Sequence, residues 1–155
     1  MAKWGSTDVG RRPLFDRLVD ENPKQKKPEE TPARNLDLEG LKDSVRRELT
    51  TLFLTRCPVT GDVALGRERT ILDYGLPDLD QGGKRTEAED RARLTKLIRS
   101  SVEAFEPRLR ALSLEVIQDP DERSRLLVNI DGLLTIGDVR EPISFQLPLG
   151  GSETE

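Results

Sequence analysis

A chain of 155 residues with 34% hydrophobic and 35% charged residues has the length of one domain but little material for its core, so part of its burial is expected to be completed against other proteins or part of the chain to stay outside the core. A net charge of −4 gives no electrostatic basis for general nucleic-acid binding. One cysteine and no histidine exclude an internal disulfide and the usual zinc and transition-metal ligand sets.

No apolar run reaches membrane-spanning length, and the opening MAKWGSTDVGRRPLF has no apolar stretch of the secretory kind, so a cytoplasmic location is the expectation. Leu14, Phe15, Leu18 and Val19 stand at helical spacing and predict a short amphipathic helix over residues 12–20. Prolines 23, 28 and 32 then interrupt a charged stretch without large apolar residues, which reads as a linker over 21–34. Two readings stand for this region: an arm that reaches a neighbour, or an ordinary N-terminal extension. The expected division is therefore 1–34 (helix and linker), 35–148 (the domain) and 149–155 (a polar tail).

From Leu38 to about Thr55, Leu41, Val45, Leu49, Leu52 and Phe53 continue a helical stripe, with Asp37 as N-cap and Pro58 and Thr60-Gly61 as the stop. Residues 56–85 read as a long irregular loop, in which TILDYGLPDL carries enough apolar residues to pack onto the core. Thr86 and Glu89 fit a capping box. The helix they open buries Leu94, Leu97, Ile98, Val102 and Phe105 and is stopped by Pro107, which forces Glu106 into extended backbone.

Three strands close the chain. Leu112, Leu114 and Val116 alternate in the first. After a turn at 119–122, a second strand over 125–136 puts Leu126, Val128 and Ile130 on one face, and Gly132 marks a bulge or a close backbone approach. Gly137-Asp138 suits a tight hairpin into a third strand over 139–147, with Val139, Ile143, Phe145 and Leu147 inward and Arg140, Glu141, Ser144 and Gln146 completing it. Pro142 confines that strand to an edge. The expected fold class is α+β, helices packed on a small antiparallel three-stranded meander. The open edge either pairs with a partner's strand or carries Glu141 and Pro142 to prevent such pairing.

Catalytic signatures are missing. Glu103 and Glu106, three residues apart at a helix end, share one surface, whereas a glycosidase pair faces across a cleft at about 5 Å. The only Trp is Trp4, no His offers a general base, and Gly82-Gly83-Lys84 is a poor phosphate loop. No cofactor is expected. Glu106, Pro107 and Arg108 instead form a rigid corner bearing opposite charges, suited to bidentate pairing with a partner or, alternatively, to pairing with each other.

Taken in order, PLFDRL, LKDSVRRELTTLFLTR, ILDYGLPDL, FEPRL and the closing meander, over residues 13 to about 148, resemble the type VI secretion baseplate subunits of the TssE family and the related phage-tail baseplate protein that initiates the sheath, a family often labelled lysozyme-like. Two positions depart from the pattern: Asp73 stands where the family often has asparagine before the tyrosine, and Leu54 where it often has asparagine. The resemblance implies a structural role and a fold like the strand-sharing domain of contractile sheath subunits. It implies wedge docking through Glu106, Pro107 and Arg108, a motif loop at Tyr74, Gly75, Leu76, Pro77 and Asp78, and a strand-sharing edge at residues 139–147. Implied partners are wedge subunits of the TssF, TssG and TssK type, sheath subunits of the TssB and TssC type, and the tube or spike, with six copies per assembly at a baseplate docked to an inner-membrane complex. A phage tail or tailocin baseplate and a peptidoglycan hydrolase are the alternatives.

Overall fold

Apolar side chains three and four residues apart leave one face of a helix with nowhere to go but a core, and two long helices meet that condition. In the computed structural model, which describes residues 10–11, 13–14, 17, 24, 35–77, 87–122, 125–137 and 139–149, α1 spans Leu38–Leu54 and the other long helix, α3, spans Glu87–Phe105. Leu41, Val45, Leu49, Leu52 and Phe53 of α1 are buried, and so are Leu94, Leu97, Ile98 and Val102 of α3. Asp37 caps α1 as expected, its carboxylate accepting from the Gly40 N–H at 2.8 Å. Thr86 lies outside the described residues, and with it the expected capping box.

Both helices pack on one antiparallel sheet of three strands: β5 (Leu109–Gln118), β6 (Leu126–Ile136) and β7 (Val139–Leu149), in that order. Leu109, Val116, Val128, Ile130, Leu134, Ile143, Phe145 and Leu147 form the sheet's share of a core continuous with both helices. The sheet therefore has two edges, β5 beside α3 and β7 beside α1.

β5 begins at Leu109, two residues before the expected alternation starts at Ala111, and a bulge shifts that alternation. Arg110 pairs with Leu133 and Ser113 with Asp131, so Ala111 and Leu112 together face Gly132. Ala111 adopts φ 51°, and the shift puts Leu109 on the same buried face as Val116. Gly132 answers the close-approach expectation: a Cβ there would lie 3.2 Å from the Arg110 carbonyl oxygen. Asp119 shapes the next turn, accepting from the Asp121 N–H at 2.9 Å. Gly137 turns into β7 with φ 56°, while Asp138 and the side chain of Val139 lie outside the described residues.

The stretch expected to be irregular is partly regular. β3 (Arg56–Cys57) pairs in parallel with β4 (Leu76–Pro77), and α2 (Gly61–Gly66) lies between them in sequence. Gly61, expected to help end α1, instead starts α2 and lets it approach α3: a Cβ there would meet Leu97 at 3.1 Å. The apolar residues of TILDYGLPDL do not all pack inward. Tyr74 and Leu76 touch the core, but Ile71 and Leu72, on a 3-10 turn over Ile71–Asp73, are 84% and 80% exposed.

At the N-terminal side, β1 (Gly10–Arg11) pairs antiparallel with β2 (Asn35–Leu36), setting Gly10 against Ile136 and Leu41. Of the helix expected over 12–20, Pro13, Leu14 and Arg17 are described, with the Arg17 N–H donating to the Leu14 carbonyl at 3.2 Å; its other residues and most of the expected linker lie outside the described residues.

Leu49 has no exposed surface at the centre of this core. Leu49→Ala is expected to cost about 2–5 kcal/mol of unfolding free energy in urea titration; a loss under about 1 kcal/mol would contradict the packing described.

Candidate functional site

Pro107 cannot continue a helix, so the chain leaves α3 at Phe105 and turns into β5 through the Glu106-Pro107-Arg108 corner. The Glu106 N–H still bonds back to Val102 at 2.8 Å, and its carbonyl accepts from the Leu109 N–H at 3.1 Å. The Glu106 side chain points inward and the residue is 2% exposed. Its two carboxylate oxygens accept from Arg108, Nε at 2.6 Å and Nη2 at 2.5 Å, a bidentate fork. Arg108 Nη1 donates to Ser44 Oγ of α1 at 3.2 Å, and the Arg108 carbonyl accepts from the Thr135 N–H of β6 at 2.8 Å.

Of the two readings open from the sequence, the corner takes the second within this chain: Glu106 and Arg108 pair with each other. Burial of Glu106 turns the charges toward each other, and the pair ties α3 to α1 and to the sheet. Pro107 is exposed at the apex, and the Arg108 side chain keeps 21% of its surface in solvent. Glu103, the other member of the imagined acid pair, is exposed and lies 3.8 Å from Arg99 on the helix surface. The two carboxylates do not face across a cleft.

The motif loop is built around Gly75. Its φ of +110° is open to glycine, and a Cβ would sit 2.4 Å from the Thr55 carbonyl oxygen, the atom that accepts from the Leu76 N–H at 2.9 Å. Only a residue without a side chain lets β4 come alongside β3. Tyr74 packs edge-on against Phe105, centroids 5.2 Å apart, and its hydroxyl pKa is raised by burial and then by the charges of Glu48 and Glu106. Pro77 is buried in β4, whereas Asp78 lies outside the described residues.

Four residues whose role was not expected from the sequence hold this loop: Arg67, Arg69, Thr70 and Asp73. Asp73 is 2% exposed; Oδ1 accepts from Arg67 Nη2 at 2.7 Å, and Oδ2 accepts from the Thr70 N–H at 2.8 Å and hydroxyl at 2.9 Å. Arg69 donates to the carbonyls of Asp73 and Gly75 at 2.6 and 2.8 Å and lies over the Phe105 ring at 5.4 Å. The hydrogen bond from Arg67, followed by that from the Thr70 N–H, holds the Asp73 carboxyl down at about 2, although burial opposes this. The Thr-x-x-Asp spacing of residues 70–73 is a capping signature legible in the sequence.

The third candidate element, β7, has β6 on one side and no strand on the other among the described residues. Ile143, Phe145 and Leu147 face the core, and Pro142, Ser144 and Gln146 face outward, as does Arg140; Glu141 is half-buried. Leu133 of β6 pairs with Pro142 and Leu127 with Pro148. A proline has no N–H, so it keeps this register without losing a bond only where its nitrogen faces away from β6. The outward backbone groups of β7 are then those of even-numbered residues, with donors at Arg140, Ser144 and Gln146 and none at the two prolines.

Elsewhere, an open groove of about 680 Å³ runs between the first half of α3 and β5, floored by Ala88, Ala92, Leu114 and Val116. Among the described residues no group of three or more Asp, Glu or Cys is placed to hold a metal ion, and no helix is long and apolar enough to cross a membrane.

The family model for the baseplate wedge protein gp25 matches residues 39–138, which takes in α1, the motif loop, the corner and the strands up to the turn before β7. No curated protein matches the chain. Among solved structures the chain is similar to a protein from Geobacter sulfurreducens designated a tail lysozyme, at 14% identity and a TM-score of 0.47, over 76% of this chain and 98% of that one. It is also similar to a chain of a type VI secretion baseplate complex, at 14% identity and a TM-score of 0.47, over 72% of this chain and 95% of that one. At that identity and score neither carries an argument about function.

Three outcomes are expected here. Arg108→Ala leaves a buried carboxylate unpaired and is expected to lower stability by about 3–5 kcal/mol in urea titration, with Glu106→Ala/Arg108→Ala together costing less than the sum of the single changes. Gly75→Ala is expected to cost more than about 2 kcal/mol, since it combines a left-handed φ with a backbone clash; a neutral result would contradict the β3–β4 contact. Asp73 has a folded pKa of about 2 against an ordinary 3.8, so its contribution is complete above about pH 4 and is lost as pH falls toward 2. Asp73→Asn should therefore flatten that part of the acid-unfolding curve, and an unchanged acid limb would contradict the Asp73 network.

Proposed function

Because the chain belongs to the gp25 baseplate wedge family, we propose that it is a structural, non-catalytic baseplate subunit of a contractile injection machine of the type VI secretion kind, joining the wedges to the sheath and templating the first sheath ring by strand sharing. The observation that carries this reading is the side of β7 on which no strand lies among the described residues, with outward donors at Arg140, Ser144 and Gln146. Backbone groups of this kind recruit an extended strand from another chain, and the alternating outward side chains set which strand fits. Pro142 and Pro148 limit the length of that pairing, so an incoming strand meets a defined window rather than an edge open along its whole length.

In this proposal residues 35–148 form the functional domain, and 1–34 act as an arm toward a neighbour. The wedge side is the corner: exposed Pro107 and the partly exposed Arg108 make the contact while buried Glu106 holds Arg108 from beneath. The partners are wedge subunits of the TssF, TssG and TssK type and sheath subunits of the TssB and TssC type. Six copies surround the tube on the cytoplasmic side of the membrane complex. A non-enzymatic role is supported by the engagement of both Glu106 oxygens with Arg108 and by the solvent-exposed position of Glu103. The same geometry serves a phage tail or tailocin equally well.

Ser144→Pro/Gln146→Pro removes two of the three remaining outward donors while leaving the β6 side of the strand in register. Sheath assembly in cells is expected to fail with this variant while the purified chain keeps its circular dichroism spectrum and its binding to the wedge. Normal sheaths would refute the strand-sharing role. Peptidoglycan hydrolysis that disappears with Glu106→Gln would favour a hydrolase instead.

A further inference from the structure

The 3-10 turn over Ile71–Asp73 exposes apolar side chains that a fold ordinarily buries. Ile71 and Leu72 are adjacent, and each leaves four-fifths or more of its surface in water, at 84% and 80%. Single exposed aliphatics are ordinary, but here two are held side by side on backbone that is unusually well tied. Asp73, the next residue, is buried beneath them and bonded to Arg67 and Thr70, while Arg69 clamps the carbonyls of Asp73 and Gly75. Four side chains thus fix a turn whose apolar tip makes no use of the rigidity in the isolated chain.

We propose that Ile71 and Leu72 form a preorganised knob that anchors this chain to a neighbouring wedge subunit, in an apolar socket with carboxylates on its rim. The proposal rests on the wedge reading above and adds to it a contact outside the Glu106-Pro107-Arg108 corner. Preorganisation is what an anchor needs, because ordering a loose loop at the moment of binding subtracts from affinity. The charge beside the tip defines the rim: Arg67 keeps 43% of its side chain exposed even while bonded to Asp73, so a carboxylate on the partner can share its guanidinium. Position argues for the same partner as the corner. Tyr74 and Arg69 both pack on Phe105, the residue that leads into Glu106 and Pro107, so knob and corner move as one body.

The test uses this chain and purified wedge subunits of the TssF and TssG type from the same organism, with affinity measured by biolayer interferometry. Ile71→Ser/Leu72→Ser is expected to melt within about 2 °C of the wild type, since neither side chain is buried, yet to bind the wedge at least about thirtyfold more weakly. Ile71→Leu should retain most of the affinity. Val63→Ser, which removes another aliphatic exposed at 45%, should leave it unchanged. Equal binding by the wild type and the double serine variant would overturn the knob while leaving the wedge reading intact. No wedge binding by the wild type would overturn that reading and the knob with it. Self-association of the wild type, abolished in the serine variant with wedge affinity unaltered, would assign the knob to a second copy and also overturn the proposal.

Discussion

The buried ion pair between Glu106 and Arg108 is the constraint on which the arrangement of the domain turns. Pro107 ends α3 and turns the chain into β5, and the burial of Glu106 beneath that turn brings the two charges together. The Glu106 carboxylate, taken out of water, is tolerable only with both oxygens occupied, and the Arg108 fork supplies donors to both. The third arm of the guanidinium reaches Ser44 on α1, and the Arg108 carbonyl holds Thr135 on β6. Arg108 therefore links the end of α3, α1 and β6 beside the exposed apex of Pro107.

A second tie works through backbone approach rather than charge. Gly75 lets Leu76 reach the Thr55 carbonyl, which places β4 beside β3 and brings Tyr74 and Arg69 onto Phe105. The two ties meet at Phe105, so the motif loop and the corner, separated by about thirty residues of chain, are parts of one braced surface. Polar contacts between elements thus add to a modest hydrophobic core, while Ile71 and Leu72 stay exposed and one side of β7 carries no strand among the described residues.

The regular elements were legible because periodicity reports burial. The stripe from Leu38 to Phe53, the Asp37 cap, the alternation of Ile143, Phe145 and Leu147 and the edge position implied by Pro142 all reappear in the structure. What alternation could not reveal was the bulge at Ala111-Leu112, since a two-for-one pairing depends on the partner strand, here on the absent side chain of Gly132. At the site, the corner was found but its orientation was not. Sequence spacing gives Glu106 and Arg108 equal freedom to face out or to face each other, and only the depth of Glu106 beneath the helix end decides it. The Arg67, Arg69 and Asp73 clamp was missed for a similar reason: charged residues in a loop look solvated until a buried carboxylate gathers them. Asp73, noted only as a departure from asparagine, is the carboxylate that does so.

The central claim is that this chain acts by offering backbone on the outer side of β7 to another protein. A cryo-EM map of the reconstituted baseplate carrying its first sheath ring tests it most directly. The account predicts a fourth strand hydrogen-bonded to β7 and centred on Ser144 to Gln146, contributed by a sheath subunit. A first ring seated with that side of β7 facing solvent, or closed off by another part of this same chain, would contradict it.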